Sequence, residues 1–335
     1  MPTVSGSRTL NGTEVSSIGF GCMSLSHAYA TPPAAEAAIA VVRRALDLGV
    51  NHFDTAALYG FGRNESLIGE AIQSNRQHIF LASKCGMTGI EGKRVIDGRP
   101  QTLERTCHES LARLHTDVID LYYLHRVDPN VPVEDSVGAL AELVKKGHIR
   151  AIGLSEVSAS TLRRAHRVHP IAAVQSEYSV WTRNPEVAVL EECQRLGAAL
   201  VAFSPLTRGF LVSDLTAPLA LEASDIRRSM PRFMEPQVTA NRSLIKPFAD
   251  LAQAAGCSRA QLALAWLLHK SPHVIPIPGT TSIQHLEDNV RASHIALSDD
   301  LMEKIESLVN PNRVQGARYN ATTQLEIDTE EWAVP

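Results

Sequence analysis

No apolar run in this chain approaches the roughly 20 residues of a membrane-spanning helix, so no bilayer span is expected. Its five cysteines, Cys22, Cys85, Cys107, Cys193 and Cys257, are scattered and odd in number, and none stands in a CxxC pair. Neither a disulfide framework nor a zinc ribbon fits that pattern. A reduced cytoplasmic protein without bound metal is the simplest expectation. The opening MPTVSGSRTLNGTEV lacks the basic-then-apolar plan of a secretory signal, so no leader is expected. Positive charge is not in excess: 32 Lys and Arg face 36 Asp and Glu, a net charge of -4. Such a balance argues against nucleic acid or an anionic membrane as partner. The glycine fingerprint of doubly wound dinucleotide folds is also missing, because GFGCMS and GFGRNE both lack its third glycine. No segment rich in Pro, Gly or Ser divides the chain, so residues 1–335 are expected to form one domain.

What the sequence does contain is alternation. SRTLNGTEV predicts a β-hairpin within residues 1–16, turning at Asn11-Gly12, ahead of the repeating part. Then strand-like and helix-like segments take turns. VSSIGFG precedes a helix from about Pro33, and NHFD precedes one from about Asn64. HIFLASK leads through a long glycine-containing loop to TLERTCHESLARL, and VIDLYYLH leads to VEDSVGALAELVKKG. IRAIGLS, IAAVQSEYS, AALVAFSP and HVIPIPG supply four more strands. Eight such units predict an α/β fold, a closed parallel (β/α)8 barrel of the TIM type. Residues 211–241 break the rhythm as an irregular loop, and residues 310–335 form a weakly patterned tail.

Four polar groups lie where probable strands end: Asp54 and Tyr59 in NHFDTAALY, Lys84 in HIFLASK and His125 in DLYYLH. Carboxyl ends of parallel barrel strands converge on one mouth, where such barrels keep their chemistry. A phenol is protonated at neutral pH and can donate a proton, and a neighbouring ammonium would lower its pKa. Lys84 would be that ammonium, with Asp54 holding it charged and in place. His125 could then orient a carbonyl. The bland alternative is a structural ion pair between Asp54 and Lys84, with Tyr59 and His125 packed beside it.

Two loops read as phosphate sites. SPLTRG, with Ser204, Pro205, Leu206 and Arg208, follows the seventh strand, and Gly279, Thr280, Thr281 and Ser282 follow the eighth at a helix start. Arg208 could meet a pyrophosphate as a charged donor.

These landmarks together resemble the aldo-keto reductases over nearly the whole chain. They are GFGCM, DTAALYG, Lys84, His125, GLSE, VQSEYS, FSPLTRG and IPIPGTTSIQHLEDN, in order. The likeness is greatest to a branch of plant and bacterial reductases. The resemblance implies a catalytic tetrad of Asp54, Tyr59, Lys84 and His125, with Tyr59 as general acid and NADPH (NADH possible) as hydride donor. It implies a small-molecule carbonyl substrate. It further implies cofactor contacts at Gly21, Cys22, Met23 and Asp54 near the nicotinamide, and at Ser155, Glu156 and Gln175 around its carboxamide. Phe203 would stack on the nicotinamide, while Asp288 and Asn289 would meet the adenine. Relatives often carry a basic residue among the positions of Thr281, Ser282 and Gln284. Here only His285 is near.

Two other functions stay open at this point: a Schiff-base aldolase with Lys84 as nucleophile, and a redox-sensing regulatory subunit of the same fold. Substrate choice is expected to lie with the loop after Lys84, Trp181, the stretch after Gly209 and Trp332. Oligomeric state has no sequence signature.

Overall fold

The structure is a computed structural model that describes residues 5–26, 28–29, 31–90, 93–212 and 221–332. A short antiparallel hairpin, β1 (Ser7–Leu10) and β2 (Thr13–Ser16), comes first and turns at Asn11-Gly12. Eight parallel strands follow, all in one sheet: β3 (Phe20–Gly21), β4 (His52–Asp54), β5 (Phe80–Cys85), β8 (Leu121–Leu124), β9 (Ile152–Ser155), β10 (Ile171–Glu177), β11 (Ala199–Phe203) and β12 (Val274–Pro276). The intervening β6 (Met87–Ile90) and β7 (Lys93–Ile96) pair antiparallel outside that sheet. The segment after Lys84 is therefore a hairpin rather than the expected loop.

Backbone bonds join the first barrel strand to the last, Gly19 N to Pro276 O at 2.9 Å and Gly21 N to Pro278 O at 3.2 Å. The sheet closes there into a barrel. The seam needs glycine: a Cβ on Gly21 would lie 2.7 Å from Ile277 O, and one on Gly279 would lie 2.7 Å from Gly21 O. Gly279, expected to admit a phosphate, serves the joint between strands.

Helices cover the outside: α1 (Ala35–Asp47), α2 (Arg63–Ile72), α3 (Pro100–Arg113), α4 (Val133–Lys145), α5 (Ala159–Val168) and α6 (Val189–Leu196). Past β11 come α7 (Gln237–Arg242), α8 (Ile245–Ala254) and α9 (Arg259–Lys270), and past β12 come α10 (Ile283–Arg291), α11 (Asp299–Leu308) and α12 (Ala321–Gln324). Within the irregular stretch the described residues form two short turns, Ile226–Ser229 and Pro231–Phe233, before α7. No helix among the described residues is long and apolar enough to cross a membrane.

Strand side chains alternate between two cores, as a period of two requires. Leu81, Cys85, Tyr122, Leu124, Val174 and Leu200 face the helices. Phe80, Ala82, Leu121, Tyr123, Ala173, Val201 and Ile275 fill the barrel interior, where Leu10 and Val15 of the hairpin join them. Cys85 thus packs outward, back to back with Lys84, and its buried thiol is pushed well above its ordinary pKa.

Candidate active site

The interior-facing alternation carries Asp54, Lys84 and Gln175 inward on β4, β5 and β10, and His125 follows β8 in the same sense. Gly21 pairs with Asp54 and Asp54 with Ala82, so Lys84, paired with Tyr123, stands two residues further along β5. Lys84 has no solvent exposure. Its Nζ donates to Asp54 Oδ1, to Thr55 O at 2.8 Å and to the Tyr59 hydroxyl at 3.3 Å. Gln175 Nε2 donates to the other Asp54 oxygen at 2.7 Å. Tyr59 opens a short helical turn after β4, and its ring meets the His125 ring edge-on, centroids 5.9 Å apart. Asn64 fixes this loop by accepting from Thr55 Oγ1 at 2.6 Å and donating to Cys22 O at 2.9 Å. The four residues singled out in the sequence converge.

Burial raises the Tyr59 phenol above its ordinary pKa; Lys84 opposes that shift and Asp54 adds to it. Lys84 was expected to pull the phenol down. Its effect has that sign but is outweighed, because a phenolate enclosed here would lose its water. Burial alone would lower the Lys84 ammonium, yet Asp54 and Tyr59 reverse this and the net direction is upward. Lys84 is therefore held as a cation, the wrong state for a Schiff-base nucleophile.

Tyr59 and His125 stand at one end of a cavity of about 1480 Å³, beside Gly21, Met23, Asp54, Ser155, Gln175 and Phe203. Ser204, Pro205, Leu206, Arg208, Gly279, Thr280 and Thr281 continue the wall, and His285, Asp288 and Asn289 lie toward the other end. That volume exceeds the roughly 300–1,000 Å³ of sites for drug-sized ligands and suits an extended two-part ligand. The far end also includes Ser258 and Arg259, where α9 starts. Arg259 was missed in the sequence because it comes from a helix with no resemblance motif. Asp288 accepts from Ser258 Oγ at 2.6 Å and from Gln261 Nε2 at 2.8 Å, which ties α10 to α9.

Several expected residues do not line the cavity. Cys22 is enclosed in the outer core, and Lys84 lies beneath the wall rather than on it. Ser282 caps α10, its hydroxyl accepting from His285 N at 3.3 Å, and Gln284 is exposed elsewhere. Glu156 follows Ser155 with a left-handed φ of 56°, which turns its side chain away. It meets the tail instead, accepting from Arg318 at 2.8 Å and from Thr329 Oγ1 at 3.1 Å. Arg208 does line the cavity, but its guanidinium is bonded to Glu177 at 2.5 Å and to the Tyr319 hydroxyl at 3.1 Å. Trp181 is buried against Phe210, centroids 4.8 Å apart, and neither it nor Trp332 reaches the cavity. The hairpin does reach it through Met87 and Arg94, the irregular stretch through Ile226, Ser229 and Met230, and the tail through Tyr319, Asn320 and Thr323.

The aldo/keto reductase family profile matches residues 17–310. The chain belongs to the aldo-keto reductase family. A curated Glycine max protein, "Probable aldo-keto reductase 1", is 41% identical over 316 residues, covering 92% of this chain and 89% of that one. Among solved structures, a glycerol dehydrogenase of Gluconobacter oxydans superposes with a TM-score of 0.82 at 25% identity, covering 94% and 99% of the two chains. An aldo-keto reductase of Bacillus halodurans, solved in its holo form, gives a TM-score of 0.75 at 27% identity, covering 94% and 98%. Membership makes this chain an oxidoreductase, with a nicotinamide cofactor and a small carbonyl substrate as the family's general reactants.

Proposed function

We propose that this aldo-keto reductase reduces an aldehyde or ketone to its alcohol with NADPH, and that Asp54, Tyr59, Lys84 and His125 carry the chemistry. The carrying observation is the enclosed chain Gln175–Asp54–Lys84–Tyr59, which ends in a phenol at the cavity surface. A reduced nicotinamide, when bound, supplies the hydride for the carbonyl carbon. Tyr59 donates its hydroxyl proton to the carbonyl oxygen. Lys84 stabilises the phenolate left behind, Asp54 holds the ammonium at the phenol, and Gln175 fixes Asp54. His125, edge-on to Tyr59, orients the carbonyl oxygen toward the phenol.

The wall from Ser155 and Gln175 through Phe203 to Asp288 and Asn289 would hold the dinucleotide. Ser24 belongs to this wall, and its Oγ has no hydrogen-bond partner among the described residues, as a group waiting for a polar ligand would. Arg259 and His285 at the far end support a 2′-phosphate, hence NADPH over NADH. A relative from Klebsiella pneumoniae, 25% identical, was solved with NADP and acetate.

A panel of aldehydes and ketones assayed with NADPH and with NADH tests this reading. Steady consumption of NADPH, at a kcat/KM at least about tenfold that with NADH, is expected. Tight cofactor binding without turnover of any member would favour the sensor alternative.

A further inference from the structure

Charge pairing around the cavity separates one arginine from its neighbours. Arg94 meets Glu326 at 2.5 Å, Arg208 meets Glu177 at 2.5 Å, and Arg227 meets Asp225 at 2.6 Å. Arg126 also lines the cavity, directly after His125, yet it has no carboxylate partner among the described residues. Its NH1 donates to His125 O at 2.6 Å and to Ser155 Oγ at 3.2 Å. Its Nε is buried and has no hydrogen-bond partner among the described residues. The side chain is pinned by one edge, while donors of its planar fork are left for something else.

A half-buried guanidinium without a counterion is costly, since it gives up water and receives no compensating charge. The compensation is natural if a ligand brings it. Arginine's fixed fork suits a planar carboxylate, which it can hold through two parallel bonds. Arg126 is also near enough to Tyr59 to favour the phenolate electrostatically, so a group bound to it would sit beside the reacting carbonyl.

The geometry points to Arg126 as the anchor for a carboxylate on the substrate, so that the preferred substrates are aldehydes or ketones that also carry an acid group. This deepens the reductase reading and rests on it. His125 and Arg126 then divide the substrate between them, the ring orienting the carbonyl and the guanidinium fixing the far charge. Arg94, Arg208 and Arg227, already neutralised by Glu326, Glu177 and Asp225, do not compete for it.

Matched pairs isolate the charge: para-carboxybenzaldehyde and succinate semialdehyde, each against its methyl ester, with NADPH as reductant. The wild type should prefer the acid of at least one pair by about tenfold or more in kcat/KM. Arg126→Gln keeps a polar group for Ser155 but removes the charge. It should lower that acid-to-ester ratio by about tenfold or more, chiefly through the KM of the acid. Arg126→Lys, with a point charge, should retain part of the preference. The KM for NADPH should stay within about twofold in both variants. If Arg126→Gln raised the NADPH KM and left the acid-to-ester ratio unchanged, Arg126 would serve the cofactor and the inference would fall. Turnover of esters and acids alike by the wild type overturns the inference alone. No turnover of either member overturns the reductase reading with it.

Discussion

Lys84 is enclosed, yet its ammonium has an oxygen in each direction it needs: Asp54, Thr55 and Tyr59. Of the two charges adjacent to the phenol, this cation alone lowers its pKa. Alcohol oxidation requires the phenolate, so its rate should rise with pH through the pKa of Tyr59. Lys84→Met leaves burial and Asp54, both of which raise that pKa. The rise in a kcat/KM profile for oxidation should then move up by at least about one pH unit. An unmoved profile would mean that Lys84 does not govern the phenol.

His52 lies two residues before Asp54 and also points into the barrel, but deeper. Its ring packs edge-on against Phe80 at 5.6 Å, neither nitrogen is bonded among the described residues, and burial lowers its pKa to about 4. An unfolded histidine titrates near 6.5. Between those values the unfolded chain binds a proton that the native state refuses, so stability is full above about pH 6.5 and declines on acidification to about pH 4. The loss from this residue is about 3 kcal/mol. His52→Leu should lose less of its urea midpoint than the wild type between pH 7 and 4.5. Parallel losses would refute the argument.

At the scale of elements, the tail is the main addition to the barrel. Arg318 reaches Glu156 at 2.8 Å, Asp328 N donates to Glu156 O at 2.9 Å, and Glu330 accepts from Ala159 N at 2.6 Å. These bonds run the tail past the ends of β9 and β10 and bring Tyr319, Asn320 and Thr323 onto the cavity. Glu156→Ala would remove the hydrogen-bonded carboxylate of the buried Arg318 guanidinium and leave it only the longer 3.7 Å contact with Glu177. It should cost about 3–5 kcal/mol in urea unfolding and speed proteolytic cleavage within residues 318–332. A neutral outcome would mean that the tail is held by other contacts.

Local features are legible in the sequence, and pairings between distant segments are not. Asp54, Lys84 and His125 are legible because strand ends are local: each closes a short β-prone run, NHFD, HIFLASK and DLYYLH. Glu156 is not, since its partner Arg318 is 162 residues away and nothing near GLSE records the pairing. One left-handed residue after Ser155 also reverses its direction, which a motif match cannot register. The hairpin of β6 and β7 was read as a loop because its glycines suggest turns more strongly than strands. α8 and α9 stand outside the strand-helix rhythm, because the irregular stretch separates them from β11.

For the whole molecule, closure depends on the joint between β3 and β12, where backbones approach so closely that a Cβ on Gly279 would strike Gly21 O. Gly279→Ala should overpack this seam and cost about 1–3 kcal/mol. The loss should appear as a lower urea midpoint with an unchanged slope. Closure also gathers strand ends that are distant in sequence around one cavity, so its wall draws on residues from Gly21 to Asn289.

The direct test of the central claim is a single-turnover measurement of NADPH oxidation by a reducible aldehyde, comparing wild type with Tyr59→Phe. The phenol's role predicts cofactor binding within about twofold of wild type and a transfer step slower by about a thousandfold or more. A variant that oxidised NADPH at the wild-type rate would contradict it, since the proton would then come from a group other than Tyr59.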